Sequence, residues 1–315
     1  MIIVYLSDGM GNQMFMYAAG LATALRLNTE LVLDSSFFAS GVRTDRPYQL
    51  SCFPEITERK ASFADTWKLS PGLAVFNALT SMQLKKHHIF RRIVKKTLTR
   101  LDLAPIGYFY FIKGSEKSPF PYPYKFSRTY IENKAYRDRF NEIPDNSYIS
   151  GYWESESYFA DYADAVRKKF RFPPECFDPV LSEKIRSCNS VAIHVRRGDR
   201  ARFETYRVKS ARYLNHAIER ITSLTEKPEF FVFSDDIEWC KENMHKIHEA
   251  EYHFIEGQTP AQDMALMSIC KHVIMGMSTF SWWGAWLNEN PKKIVIAPDR
   301  ESSGSWYPYG AIVMD

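Results

Sequence analysis

Apolar and polar positions fall in blocks along this chain, and the blocks predict its elements. The run Ile2–Leu6 is apolar and β-branched, as in a buried strand. Gly9 and Gly11 follow, and Met14, Tyr17, Ala18, Leu21 and Leu25 then recur at helical spacing over 13–27. Asp34 closes the next apolar run, "LVLDSS". The first 36 residues thus read strand, loop, helix, strand. Residues 37–80 lose this periodicity, and "RTDRPYQLSCFPE" and "LSPGLA" predict loops and short helices. Over 85–101, Ile89, Phe90, Ile93, Val94, Leu98 and Leu101 draw an apolar stripe on a basic helix. Residues 102–147 are loop-rich, and "YISGYWESESYFADYADAVRKKFRF" predicts a short strand, a turn and a helix. "FPPECFDP" breaks the pattern, so a domain boundary is expected near 173–185.

Beyond that break the alternation is regular. "SVAIHV", "EFFVFSDD", "EYHFIEG", "VIMGMS" and "KKIVIAP" predict strands. Between them, "SARYLNHAIERITSL", "IEWCKENM", "TPAQDMALMSICKH" and "TFSWWGAWLNEN" predict helices, the third with Thr259 as N-cap and Pro260 behind it. Strands alternating with helices imply a doubly wound parallel sheet. The expected division is an α/β domain over 1–178 and a second over 179–315, each of a usual domain size.

Composition narrows the class. The 315 residues are 45% hydrophobic and 25% charged, which suits a globular protein with ample core. A net charge of +4 does not imply nucleic acid. The five cysteines are scattered without a C-x-x-C, so reduced thiols in a cytoplasmic protein are the simplest expectation. The short start "MIIVYLSDG" does not read as a signal peptide, and no run of 18 apolar residues occurs. The stretch 85–101 holds seven Lys/Arg and no acid. It reads either as a solvated helix face or as a peripheral contact with an anionic membrane surface.

The opening stretch nearly matches a dinucleotide-binding fingerprint, with Asp34 as the acid. Met14 stands where that fingerprint needs a third small residue, which argues against NAD. The chemistry concentrates elsewhere. In open parallel sheets ligands bind beyond the carboxyl ends of the strands. Three strand ends carry "HVRRGD" (His194–Asp199), "SDD" (Ser234–Asp236) and "STFSWW" (Ser278–Trp283). Arg196 and Arg197 offer guanidinium forks that match a phosphate. Ser278 and Thr279 open a helix whose free N–H groups favour an anion. Asp235 or Asp236 can accept from the N–H edge of a guanine. The set reads as a nucleotide-diphosphate site, with no metal: the chain contains no D-x-D and no H-E-x-x-H. A non-catalytic sugar-binding protein would have no use for two arginines beside a helix N-terminus.

These residues resemble a known family. "GMGNQMFMYAAG", "GYWESESYF", "IHVRRGD", "FSDDIEWC" and "STFSWWGAWL" are similar to motifs of the glycosyltransferase family 11 α-1,2-fucosyltransferases. They run in order from Gly9 to about Leu287. "HVRRGD" is shared with α-1,6- and protein-O-fucosyltransferases, whereas "STFSWWGAWL" together with "GNQMF" is the specific pair. The family commonly has Asn where Met277 stands and Tyr where Arg200 stands. The resemblance implies a GT-B-like fold of two Rossmann-like domains, the C-terminal one binding the donor. It implies metal-independent, inverting transfer from GDP-β-L-fucose to the 2-hydroxyl of a terminal β-galactoside, without a cofactor. By the resemblance Arg196 holds the β-phosphate of GDP, and His194 and an acid of the Asp235–Asp236 pair lie near the guanine or ribose. Ser278, Thr279 and Phe280 line the diphosphate. Arg197, Asp199 and Ser234 complete the donor loops. Gly11 keeps the first-domain loop thin, and Asn12 faces the fucose. Asp8, Glu154 and Glu156 are candidates for the base.

Overall fold

The computed structural model describes residues 1–39, 47–69, 74, 129–131, 140–198, 204–244, 246–247, 249–299 and 307–314. Outside them fall the basic stretch 85–101, most of the loop-rich stretch 102–147, the donor-loop residue Asp199 and Arg200. The chain forms two α/β units, one of residues 1–51 and 55–170, the other of residues 52–54 and 171–315. Aromatic packing accounts for both crossings. Phe170 packs on Tyr17 with ring centroids 5.4 Å apart, so it stays with the first unit. Phe172 packs on Phe53 at 5.0 Å, which ties residues 52–54 to the second.

In the first unit, β1 (Ile2–Tyr5) lies between β2 (Leu31–Asp34) and β4 (Ser147–Ser150), with β3 (Thr129–Ile131) beyond β4. All pairs are parallel. β1, β2 and β4 are buried throughout, as parallel strands covered on both faces must be. Helix α1 (Met10–Arg26) covers one face, and every residue from Met10 to Ala24 is buried except Asn12. A Cβ on Gly20 would come within 2.9 Å of the Val4 side chain, so the close approach of helix to strand happens there. Met14 is an ordinary buried packing residue. Two short helices follow, α2 (Ser36–Ala39) and α3 (Phe63–Leu69). Phe37 and Leu69 join Ile3, Tyr5, Val32 and Tyr148 in one apolar cluster. Helix α4 (Ala163–Lys169) ends the unit; β3 was not expected from the loop-rich composition around it.

The second unit begins with α5 (Pro179–Ser187), whose N-cap Asp178 accepts from the Leu181 N–H. Its sheet has the order β10-β9-β8-β5-β6-β7, all parallel. The central strands are β5 (Asn189–Val195) and β6 (Pro228–Ser234), flanked by β7 (Glu251–Phe254), β8 (His272–Ile274) and β9 (Val295–Pro298). The edge strand β10 (Ile312–Met314) goes beyond the expected set. The crossovers carry α6 (Glu204–Leu224), α7 (Ile237–Asn243), α8 (Pro260–Ile269) and α9 (Thr279–Leu287). Val191, Ile193, Phe230, Val232, Ile218, Ile221 and Ile274 share the core between sheet and helices. The buried Tyr213 hydroxyl is shared between the carbonyls of Met275 (2.8 Å) and Ile296 (3.0 Å). All five cysteines are free thiols. No described helix is long and apolar enough to cross a membrane.

Candidate active site

The carboxyl ends of β5 and β6 lie side by side, because Val195 is in register with Ser234. The two loops that leave them are bolted together. The Arg197 N–H donates to Asp235 Oδ1 at 2.7 Å. Arg197 Nε donates to Asp236 Oδ2 at 2.9 Å, and the guanidinium lies over the Trp239 ring, 3.8 Å from its centroid. Asp236 also caps α7 through the Trp239 N–H, and its own N–H donates to Ser234 Oγ at 3.0 Å. A Cβ on Gly198 would sit 2.5 Å from Asp235 Oδ2, so a side chain there would displace the carboxylate that accepts from the Arg197 N–H. Thus Arg197, Ser234, Asp235 and Asp236 are brought together as expected, and their polar atoms are engaged largely with one another. Arg196, partly buried, directly precedes Arg197 in the same loop.

Beside it lies His194, the last but one residue of β5. Burial, and then the neighbouring positive charge of Arg196, push its imidazole down to about 3, so the ring is neutral at physiological pH. Its Nδ1 is shielded from solvent and lacks a hydrogen-bond partner. The ring sits against Phe280, centroids 5.3 Å apart. A Cβ on Gly276 would approach the His194 carbonyl oxygen to 2.6 Å and Nδ1 to 3.1 Å. The strand β8 ends at Ile274, short of the expected "VIMGMS", and the chain then leaves the sheet.

Helix α9 starts at that exit. Ser278 is its N-cap, buried, with Oγ accepting from the Phe280 N–H at 3.2 Å. Ser281 Oγ donates to the carbonyls of Gly276 and Ser278, both at 3.0 Å. Thr279 opens the first turn, where the helix dipole favours an anion. Trp282, Trp283 and Trp286 are buried and pack on one another, so the tryptophans anchor the helix.

One acid escaped the sequence reading. Asp263 lies in the first turn of α8, which leaves from the carboxyl side of β7. Burial pushes its carboxyl up to about 7. The only sequence signal was an acid just behind the Thr259 capping box.

In the first unit, Gly9 is the N-cap of α1 and Gly11 is buried in its first turn. Asn12 is partly exposed, whereas Gln13 is buried and holds the loop from inside. Gln13 Nε2 donates to the carbonyls of Asp8 (2.7 Å) and Pro47 (2.9 Å), and its Oε1 accepts from the Gln49 N–H. Asp34, the acid of the dinucleotide pattern, is buried and accepts from Tyr148 Oη at 2.7 Å and from the Ser36 N–H. That engages it inside the unit rather than with a ribose.

Known proteins resemble this chain in sequence. The sequence profile of glycosyl transferase family 11 matches residues 118–305. An α-1,2-colitosyltransferase of Escherichia coli is 30% identical over 338 residues, covering 98% of this chain and 96% of that protein. The O-antigen biosynthesis glycosyltransferase WbnK of Escherichia coli is 27% identical, covering 95% and 94%. Human galactoside α-(1,2)-fucosyltransferase 1 is 38% identical over 103 residues, 31% of this chain and 28% of that protein. With both the profile and a near full-length relative in agreement, the chain belongs to glycosyltransferase family 11.

Proposed function

We propose that this glycosyltransferase moves L-fucose from GDP-β-L-fucose to the 2-hydroxyl of a terminal β-galactoside. The observation that carries the reading is the cluster at the carboxyl end of β5: Arg196, a neutral His194 and the N-terminus of α9. A nucleoside diphosphate is held by permanent positive charge and by the positive end of a helix dipole, and this cluster supplies both. The α-1,2 linkage and the galactoside are taken from the relatives' names.

In this reading Arg196 binds the β-phosphate, and Ser278, Thr279 and Phe280 place the start of α9 against the diphosphate. His194, Arg197, Ser234, Asp235, Asp236 and Asp199 shape the nucleoside side. The donor C1–O bond breaks and its electron pair leaves with GDP, while the acceptor oxygen bonds C1 from the opposite face, inverting it. Charge grows on the leaving diphosphate, and a cation aimed at it is often worth ~10²–10³-fold in rate. Arg196 and the helix N-terminus do the work a divalent metal does elsewhere, so the reaction runs without one. Gly11 gives the sugar room, and Asn12 orients the acceptor hydroxyl. The proton leaves to water or to a carboxylate of the set Asp8, Glu154 and Glu156.

The test is GDP release from GDP-fucose with lactose, followed by NMR of the product linkage. An α-1,2 product supports the reading. Release no faster than without lactose, across a panel of β-galactosides, refutes it. A second reading concerns the donor sugar alone. The near full-length relative is named a colitosyltransferase, and colitose is L-fucose without its 3-hydroxyl. GDP-colitose assayed beside GDP-fucose separates the two by their kcat/KM ratio.

A further inference from the structure

Asp8 is left unexplained by the donor cluster, and its geometry is unusual. Its φ is +59°, in the left-handed region that disfavours a side chain. Among the described residues four other non-glycines share this region: Asn28, Asn146, Trp153 and Lys227. Asn28, Asn146 and Lys227 lie in turns just ahead of β2, β4 and β6. Asp8 and Trp153 instead follow the carboxyl ends of β1 and β4, the two central and mutually paired strands of the first unit. That edge is where open parallel sheets take ligands.

Each of the two is held in place by its surroundings. The Asp8 carbonyl accepts from buried Gln13, as described above. Trp153 is fully buried, with its ring 5.0 Å from Phe140 and 5.2 Å from Tyr158. Burial of Gly151, Trp153 and Ser155 leaves the alternate residues Tyr152, Glu154 and Glu156 partly exposed. Tyr152 Oη then donates to Asp8 Oδ2 at 2.5 Å and joins the two loops. An enforced backbone, a partly exposed carboxylate and a phenol that sets its orientation are what a binding site requires and a packing residue does not.

We infer that Asp8, oriented by Tyr152, holds the acceptor sugar by accepting a hydrogen bond from one of its hydroxyls, and so sets acceptor preference. The ligand class is a neutral, hydroxyl-rich pyranoside, matched by an acceptor-only carboxylate. The inference rests on the fucosyl-transfer reading for its kinetic readout.

The test compares wild type with Asp8→Asn and Asp8→Gly. Asparagine tolerates the left-handed backbone and glycine favours it, so neither variant fails for strain. Melting temperature and calorimetric GDP affinity verify the fold and the donor unit. A lost hydrogen bond to a charged group raises the acceptor KM by roughly 10–100-fold in both variants, with GDP affinity held within about twofold. Tyr152→Phe keeps the carboxylate but loosens it, so its KM rises by a smaller factor. An acceptor KM within about twofold of wild type in both Asp8 variants overturns the inference, as does a loss confined to kcat. If wild type transfers fucose to no β-galactoside, the fucosyl-transfer reading fails instead. Saturation-transfer NMR of lactose in the presence of GDP then decides: signal lost in Asp8→Asn supports the acceptor role, and signal retained overturns it.

Discussion

Gly276→Ala is a single methyl placed at the junction of β8, β5 and α9. The φ of Gly276 is not left-handed, so alanine is allowed by the backbone and the cost is steric alone. The new Cβ would lie 2.6 Å from the His194 carbonyl oxygen, a main-chain atom of a central strand. An ordinary C···O contact is about 3.3 Å, so one side must give by roughly 0.7 Å. The strand is fixed by its partners β6 and β8, so the exit loop moves. Gly276 is bonded through its carbonyl to the Ser278 N–H at 2.8 Å and to Ser281 Oγ, so the shift passes to the start of α9. Overpacking of this kind costs about 1–3 kcal/mol, or a fall in Tm of roughly 2–12 °C. A misplacement near 1 Å at a reacting site can cost ~10²-fold in kcat/KM. Gly284→Ala is the control. The nearest contacts of its Cβ are all on the Met267 side chain, the closest the terminal methyl at 2.7 Å, rather than on main chain. The assays are a thermal melt, calorimetric GDP affinity and kcat/KM for GDP-fucose. A Gly276→Ala protein that matches wild type in melting and in GDP affinity would refute the argument.

Three other predictions separate roles that the sequence leaves merged. Arg196→Ala lowers kcat/KM by ~10²–10³-fold, and lysine does not restore the rate because its ammonium lacks the bidentate fork; Arg197→Ala lowers Tm, because it removes the Asp236 pair and the Trp239 stack, and melts with kinetics on both variants separate the two effects. His194 has a folded pKa below its ordinary 6.5, so the unfolded chain takes up the proton first as pH falls. Its stabilisation is full above pH 6.5 and is lost between pH 6.5 and about 3, with a ceiling of ~5 kcal/mol at 1.36 kcal/mol per unit. Urea midpoints against pH for wild type and His194→Gln should converge in slope above pH 6.5 and diverge below it; equal slopes at low pH would exclude this residue as the cause. Dialysis against EDTA leaves fucosyl transfer intact, and a loss restored by added Mg²⁺ or Mn²⁺ would overturn the metal-free mechanism.

Much of the fold was legible because it rests on local periodicity. The 3.6-residue spacing marked α1, and the apolar runs marked β1, β2, β5, β6 and β9. Alternation of the two implied parallel sheets, and the rule that ligands bind at their carboxyl ends drew attention to the loops His194–Asp199 and Ser234–Asp236 and to the start of α9. β3 and β10, each three residues long, were too short to leave a periodic signal.

Tertiary structure alone distributed the work among adjacent residues. Arg196 and Arg197 are indistinguishable as letters. Only the β5–β6 register sets Arg197 against Asp235, Asp236 and Trp239. The "WW" pair became core, Gln13 became an internal strut and Asp34 was engaged by Tyr148. Asp8 and Tyr152 are 144 positions apart, and no local pattern relates them until β1 pairs with β4. A sequence specifies propensities through neighbours within a few residues, so it determines the elements and the edge they share. Which side chains meet at that edge depends on distances between remote segments, and those are set only when the sheets pack.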